Sequence, residues 1–288
     1  MVMSTTTQDV AATVTADRSS TPAVAHSAGA SYGTTVAATA RRNLLQFFRT
    51  PQTLMMGTIQ GAMFLFLFRY VFGYAISTRG GLSYVDWMVP GFLATVMLWT
   101  GMGGAAGVAE ESATGVFDRF RSLPIPRSAV MVGRSVADGG LVAWGIFTTA
   151  IIGFAVGFRV HGSFLGFLGA FALMLFAGYA VSWVFIVLGL FSANAQAAQG
   201  MGMLVIPFSF ISSANVPVAS MPGWMQPFAA NQPVSVLINA VRCLMQGGPG
   251  IVGIGHTTTY WVVLSIVWYV AITLVFATIA TRRFSRTR

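Results

Sequence analysis

The sequence contains no lysine, because all sixteen of its basic residues are arginine. A P-loop needs a lysine to reach the β- and γ-phosphates of ATP, and Schiff-base or Ser–Lys catalysis needs one as a reacting group. This chain is therefore not expected to be an ordinary ATPase or to use either covalent mechanism. The single cysteine, Cys243, excludes an intrachain disulfide and a cysteine-rich metal site.

Charge is also scarce, since only 8% of the 288 residues are charged while 55% are hydrophobic and the mean hydropathy is +0.73. A soluble domain carries about a quarter charged residues, so this composition predicts a polytopic membrane protein. The net charge of +9 is best interpreted as arginines that fix orientation in the membrane. No nucleic-acid partner is expected.

Catalytic and metal-binding patterns are absent from the sequence. His26, His161 and His256 are far apart and lack metal-ligand spacing, and the serines have no recognisable acid–base partner. We therefore expect no catalytic residue, no cofactor and no metal site, and we do not expect an enzyme.

Long apolar runs predict an all-α fold with six transmembrane helices, because each span needs about 20 mostly apolar residues. The predicted spans are 53–76, 87–108, 135–158, 164–191, 196–215 and 258–280. Residues 1–32 are rich in Ser, Thr and Ala, without an apolar run, and are predicted to be a disordered cytoplasmic tail. Residues 33–288 form one predicted transmembrane domain.

The distribution of arginine predicts the orientation of this domain. Six spans place both termini on the same side, and the flanks on that side carry Arg41, Arg42, Arg49, Arg119, Arg121, Arg127, Arg134, Arg282, Arg283, Arg286 and Arg288. The opposite loops carry only Arg79, Arg159 and Arg242. Arginine is enriched on cytoplasmic flanks, so both termini are predicted to be cytoplasmic.

The stretch 110–128, "EESATGVFDRFRSLPIPRS", holds much of the charge between the second and third spans. Apolar residues recur there every three or four positions, which predicts an amphipathic helix over 113–123, and Pro124 and Pro126 end it. Two interpretations stay open: the helix anchors in lipid headgroups, or it docks a soluble partner. A second amphipathic surface helix is predicted over 34–48.

No acidic residue is expected near the middle of the membrane. Asp138 lies at the start of the third span, and Arg134 precedes it by one helical turn, so an (i, i+4) pair is predicted. Proton-driven carriers place acids or histidines deep in the bilayer. A proton-coupled carrier is therefore disfavoured, although a sodium site built from carbonyl groups stays possible.

Two segments resemble the type-2 ABC exporter permeases of the daunorubicin- and doxorubicin-resistance kind. One is "EESATGVFDRFRSLPIPRSAVMVGR" before the third span, and the other is "PGWMQPFAANQPVSVLINAVRCLMQGGP" before the last span; "GFRVHG" supports the match. With the six spans and cytoplasmic termini, the resemblance covers about residues 34–284.

The resemblance implies a permease subunit in the bacterial plasma membrane, which dimerises with itself or a similar permease and binds two copies of a separate ATP-binding subunit. The helix at 34–48 would be the connecting helix, and the helix at 113–123 would be the coupling helix. The implied ATPase-coupling residues are Glu110, Glu111, Gly115, Phe117, Arg119, Phe120, Arg121, Leu123 and Pro124.

The resemblance also implies short re-entrant helices between the fifth and sixth spans. There Asn231, Gln232, Pro233 and Arg242 would either form an outer gate or only pack. The first, second and fifth spans are expected to wall the substrate path, with Trp99 and Met203 among its residues. The expected function is ATP-driven export of a hydrophobic drug or lipid-like compound. The alternatives are an ion-coupled secondary transporter, or a membrane-embedded biosynthetic enzyme or scaffold.

Overall fold

The computed structural model describes residues 31–73, 82–214 and 216–286. Throughout these ranges the regular structure is helical and contains no strand, which confirms the all-α prediction. Of the tail predicted over 1–32, all but the last two residues lie outside the described residues, as do the end of the first predicted span at 74–76 and Asn215.

Twelve α-helices follow one another along the described ranges. They are α1 (Tyr32–Phe48), α2 (Pro51–Leu67), α3 (Tyr84–Ala113), α4 (Val116–Ser122), α5 (Arg127–Ala155), α6 (Phe164–Phe191), α7 (Ala195–Met203), α8 (Ile206–Phe210), α9 (Gln226–Asn231), α10 (Pro233–Gln246), α11 (Pro249–Val252) and α12 (Thr258–Arg286). A π-helical turn at Phe68–Phe72 extends α2. A 3₁₀ turn at Val218–Ser220 precedes α9.

Four of these helices, α3, α5, α6 and α12, are long and apolar enough to cross a membrane. They correspond to the second, third, fourth and sixth predicted spans, and α6 has the bounds that the sequence predicts. Helix α3 extends past both ends of the predicted span at 87–108, whereas α5 begins eight residues before the predicted span at 135–158 and ends at Ala155. The helical residues outside the predicted spans include charged side chains, as expected at the ends of membrane-spanning helices.

The fifth predicted span, 196–215, is not one continuous helix in the structure. Helix α7 ends at Met203, and α8 occupies only Ile206–Phe210. Pro207 has no N–H to donate to the carbonyl of Met203, four residues earlier, so an uninterrupted helix would leave that carbonyl without its partner. The first predicted span is represented by the 17-residue α2 and its π-helical turn.

The core lies where α3 and α6 cross at close range. A Cβ atom built on Gly189 of α6 would lie 2.5 Å from the carbonyl oxygen of Ala105 on α3. Only glycine therefore permits this approach of the two backbones, as is common where helices pack closely in membrane proteins. Helix α10 also packs into this core, with Val236, Leu237 and Ile238 fully buried.

Between the fifth and sixth predicted spans, where short helices are expected, the structure has α10, Pro233–Gln246. The predicted helix at 113–123 is wrong as a single unit, because Ala113 ends α3 and a turn separates it from α4. Gly115 makes that turn with a φ of 73°, a left-handed conformation that costs other residues about 1 kcal/mol or more.

Candidate functional site

An ionic cluster joins three helices at the arginine-rich end of the molecule. Arg134 on α5 donates from Nη1 to Glu111 Oε2 at 2.8 Å and from Nε to Asp138 Oδ1 at 3.2 Å. Arg42 on α1 pairs with the other oxygen of Glu111, at the end of α3. We call Arg42, Glu111, Arg134 and Asp138 the ionic cluster. The predicted Arg134–Asp138 pair is confirmed, whereas the involvement of Arg42 was not expected.

The ionic cluster is mostly buried, since Arg134 and Asp138 are only 8% and 6% exposed. Arg134 also donates to the carbonyl oxygen of Gly104 at 3.2 Å. Two arginines and two carboxylates balance, so the cluster has no formal net charge. Glu111, one of the predicted coupling residues, pairs with Arg42 and Arg134 and so links α1, α3 and α5.

Helix α4 packs on the end of α12 through its aromatic face. The ring of Phe117 is 3% exposed and lies edge-on to Phe284, with 5.3 Å between the ring centroids. Trp183 and Ile186 of α6 complete this small core. Phe117 was predicted to anchor a partner protein, but in the structure its side chain is occupied inside the permease.

Arg121 on α4 and Arg127 at the start of α5 donate hydrogen bonds to carbonyl oxygens at the C-terminal end of α12. Arg121 donates from Nε to the carbonyl oxygen of Phe284 at 3.3 Å, and Arg127 donates from Nη1 to that of Ser285 at 3.0 Å. The guanidinium of Arg121 also stacks on the Phe284 ring at 4.9 Å. Cations at a helix C-terminus satisfy its last carbonyls and its dipole. Arg121 therefore ties α4 to the last helix.

The remaining predicted coupling residues present a surface outside the bundle. Glu110, Arg119, Leu123 and Pro124 are all exposed, with Leu123 at 50%. We call these four residues the docking face. It has two non-polar residues, Leu123 and Pro124, beside two charged ones, the pattern of a small anchor with a polar rim. The Phe120 ring, by contrast, is half-buried beneath the guanidinium of Arg42 at 5.0 Å.

Arg242, a predicted gate residue, is 1% exposed inside the opposite end of the molecule. Its guanidinium lies 3.7 Å from the centroid of the Trp87 ring, and its Nε donates to the Trp87 carbonyl oxygen at 2.7 Å. Nη2 donates to the carbonyl oxygen of Ala214 at 3.0 Å. These contacts fix α10 to the start of α3, which favours the packing interpretation for this residue.

A further link between α10 and α3 involves Gln246, which the sequence interpretation did not single out. Pro90 has no N–H for the carbonyl of Asp86, and Gln246 Nε2 donates to that carbonyl oxygen at 3.0 Å instead. The same Nε2 lies 3.3 Å from the carbonyl oxygen of Arg159, and the side-chain oxygen lies 2.8 Å from His161 Nδ1. A proline within a span is the only signal in the sequence for such a partner.

The other predicted gate residues line a small cavity of about 380 Å³. Asn231, Gln232 and Pro233 border it together with Trp268 and Tyr269 of α12. Gln232 is 5% exposed and donates from Nε2 to the Phe208 carbonyl oxygen at 3.0 Å, while its Oε1 makes no hydrogen bond within the described ranges. The structure thus brings these three together and leaves Arg242 outside the cavity.

The two predicted substrate-path residues are separated in the structure. Trp99 lines a large cavity of about 860 Å³ that is bordered by α2, α3 and α5. Met203, at the end of α7, is 59% exposed and does not line that cavity. Among the described residues, no group of three or more His, Cys, Asp or Glu side chains could hold a metal ion.

A bundle of apolar spans with an ionic surface at one end defines an integral membrane protein. The sequence model of the ABC-2 type transporter family matches residues 34–245. The chain therefore belongs to the ABC-2 type transporter family and is a multi-pass permease of the bacterial plasma membrane.

Two kinds of relative show where this chain stands within the family. The daunorubicin resistance ABC transporter permease protein DrrB1 of Streptomyces coeruleorubidus is 32% identical over 217 residues, which cover 74% of this chain and 76% of that protein. The probable doxorubicin resistance ABC transporter permease protein DrrC, from two strains of Mycobacterium tuberculosis, is 29% identical over 203 residues, covering 67% of this chain and 71% of that protein.

Proposed function

We propose that the chain is the membrane subunit of an ATP-driven exporter that moves a hydrophobic drug or a lipid-like compound out of the cell. Membership of the ABC-2 type transporter family supports the subunit role, and the names of the relatives, which are drug-resistance permeases, support outward movement of such cargo. The observation that carries the proposal is the docking face, an exposed surface beside α4. Helix α4 contacts α1 and α12 and is joined to α3, all at the arginine-rich end.

The proposed topology has six spans with both termini in the cytoplasm. Helix α2 with its π-helical turn forms the first span, and α7 with α8 forms a broken fifth span. A broken span is tolerated where its backbone is buried in protein or borders a cavity. Helices α9 and α10 are the proposed re-entrant helices, with α10 held against α3 by Arg242.

Two ATP-binding subunits dock on the docking faces of two permease copies, which are identical or similar. Closure of the ATPases pushes α4, and the push passes to α12 through Arg121 and Phe117. It passes to α1 through Arg42, which contacts both Phe120 and Glu111. Gly115 is the joint between α4 and α3. One short helix thus contacts α1 and α12 and is joined to α3 at the arginine-rich end.

ATP hydrolysis takes place on the partner and not on this chain. The absence of lysine from the sequence leaves no residue for the P-loop role, and the same absence supports a non-enzymatic subunit. The alternatives separate by their energy source. A secondary transporter works with an ion gradient and no ATP, and a membrane-embedded enzyme forms product without nucleotide.

The decisive experiment uses inverted vesicles that contain the permease together with its P-loop ATPase. We expect ATP-dependent uptake of Nile red, a neutral hydrophobic dye, and we expect none when the P-loop lysine of the ATPase is replaced by alanine. The matched control is the permease without the ATPase. If the ATPase variant without its P-loop lysine still supports uptake, driven by an ion gradient alone, the proposal is contradicted.

A further inference from the structure

The large cavity lies between α2, α3 and α5, toward the arginine-rich end of the bundle. On α2 its wall runs from Gln52 to Met63, a length of about 16 Å at the helical rise. Phe47 at the end of α1 borders it at one end, and Thr149 of α5 borders it at the other. With a volume of about 860 Å³, it falls within the range of small-molecule sites.

The cavity is open because glycines, which have no side chain, line much of its wall. Five glycines line it, on three different helices: Gly57, Gly61, Gly103, Gly104 and Gly145. A Cβ atom built on Gly57 or on Gly103 would meet nothing within 4 Å. These two positions therefore contribute nothing to close helix packing, and their missing side chains are what leaves the space open.

The wall also carries polar groups that have spare hydrogen-bonding capacity. The amides of Gln52 and Gln60 are exposed, and no hydrogen bond is recorded for either within the described ranges. Thr58 and Thr100 donate to carbonyl oxygens of their own helices, each at 2.9 Å, which leaves their oxygen lone pairs free to accept. An amide on a membrane helix is costly unless a polar group satisfies it, so Gln60 calls for a partner in the cavity.

No charged residue is among the described residues that line the cavity. The nearest carboxylate is Asp138, which would lie 3.4 Å from a Cβ atom on Gly104. Asp138 belongs to the ionic cluster and is paired with Arg134, so it offers no free charge. Trp99 and Trp144 add aromatic surface, and Trp99 is held edge-on to Phe64 at 4.9 Å.

We propose that the large cavity binds one neutral, amphipathic, ring-containing cargo molecule that carries hydroxyl or carbonyl groups. The tryptophans contact its rings, and the glutamine and threonine side chains bind its polar groups. A cationic molecule is rejected because the wall has no unpaired carboxylate to replace its hydration. This inference rests on the proposed export function and adds to it the site and the class of cargo within a single permease chain.

The test measures equilibrium binding to the purified full-length permease in lipid nanodiscs, without ATPase or ATP. The probe is quinizarin, a neutral dihydroxyanthraquinone, and quenching of tryptophan fluorescence gives its Kd. Gly57→Leu and Gly103→Leu each place a side chain in the cavity, and each is expected to weaken binding about tenfold. Gly169→Leu is the matched control, because Gly169 also has open space around it but lies on α6 outside the cavity. It is expected to leave Kd unchanged.

A second variant and a second probe complete the test. Gln60→Leu keeps the volume and removes the amide, and we expect about fivefold weaker binding of quinizarin; this variant decides the outcome if the leucine variants at glycine do not fold. Daunorubicin has the same kind of ring system with a cationic amino sugar, and we expect it to bind about tenfold more weakly than quinizarin.

Three results would overturn the inference: an unchanged Kd in the glycine and Gln60 variants, an equal loss in Gly169→Leu, or tighter binding of daunorubicin that responds to the same substitutions. If a lipid molecule occupies the cavity and quinizarin binds elsewhere, the Kd of quinizarin will be unchanged in the glycine and Gln60 variants. The binding test contains no ATPase. If the permease supports ATP-driven transport but fails the binding test, only the cavity assignment is refuted. The export proposal is tested separately by the vesicle experiment.

Discussion

At the scale of single residues, Arg134 holds the ionic cluster together and is the best point at which to break it. Arg134→Met keeps the length of the side chain but leaves the buried carboxylates of Glu111 and Asp138 without their shared cation. Removing one partner from a buried pair costs about 3–5 kcal/mol, so we expect a clearly lower unfolding temperature in detergent. Thermal unfolding followed by tryptophan fluorescence measures it.

The matched control for Arg134 is Arg119→Met, which removes an exposed arginine at the same end of the molecule and is expected to leave the unfolding temperature nearly unchanged. A triple variant, Arg134→Met with Glu111→Gln and Asp138→Asn, removes three of the four charges and leaves only Arg42, whose side chain is 39% exposed, so it should recover part of the loss. Equal unfolding temperatures for Arg134→Met and Arg119→Met would show that the cluster contributes no stability.

The residue scale also shows which contacts a sequence can reveal. The pair Arg134–Asp138 was predictable because the two residues are one helical turn apart. The contact between Arg42 and Glu111 joins residues 69 positions apart, and the bond from Gln246 to Asp86 spans 160. No periodicity connects such residues, because their meeting depends on how α1, α3, α5 and α10 pack.

At the scale of elements, α4 has an inner aromatic side, and Leu123 of the docking face follows directly after its last residue; two substitutions distinguish these two surfaces. Phe117→Ala empties a buried site against Phe284 and should destabilise the permease by about 3–5 kcal/mol. Leu123→Ser changes an exposed side chain and should weaken association with the ATPase about tenfold without lowering the unfolding temperature. Co-purification and thermal unfolding measure the two effects.

If both effects are observed, Leu123 contacts the partner, and Phe117, which the resemblance placed among the coupling residues, acts inside the permease. The helical period placed the rings of Phe117 and Phe120 and the side chain of Leu123 on one face. However, α4 ends at Ser122 and Leu123 has an extended backbone, so Phe117 is buried against α12 while Leu123 is exposed. Normal ATPase binding by a correctly folded Leu123→Ser variant would locate the partner elsewhere.

The joint between α3 and α4 gives a second prediction at the element scale. Gly115 has a φ of 73° and open space around it, so Gly115→Ala adds backbone strain of about 1 kcal/mol without a clash. We expect faster amide hydrogen exchange in α4 and less ATP-driven transport. Gly115→Asn should be milder, because asparagine tolerates the left-handed region, and equal exchange rates in all three proteins would refute the role of this joint.

At the scale of the whole molecule, the bounds of a span could be predicted where the segment is uniformly apolar and long enough to form one uninterrupted helix. Helix α6 has no charged residue and no proline in its 28 residues, and its bounds match the prediction. The predicted span at 196–215 fails as one helix because of Pro207, a local backbone effect that average hydropathy does not register. The large cavity was not predictable either, since it arises from glycines on three separate helices.

The distribution of charge over the whole molecule predicts how transport is powered. In the described ranges the acidic residues are Asp86 near the start of α3, Glu110 and Glu111 at its end, Asp118 on α4, and Asp138, which is paired with Arg134. None of them is free to carry a proton across the bilayer. With ATP held constant, uptake of Nile red into inverted vesicles should therefore be unchanged by a protonophore. A sodium ionophore should also leave uptake unchanged if ATP drives the cycle, which tests the alternative of a sodium site built from carbonyl groups. Loss of uptake under either ionophore at constant ATP would show that an ion gradient drives the cycle, and loss only on ATP depletion is the expected result.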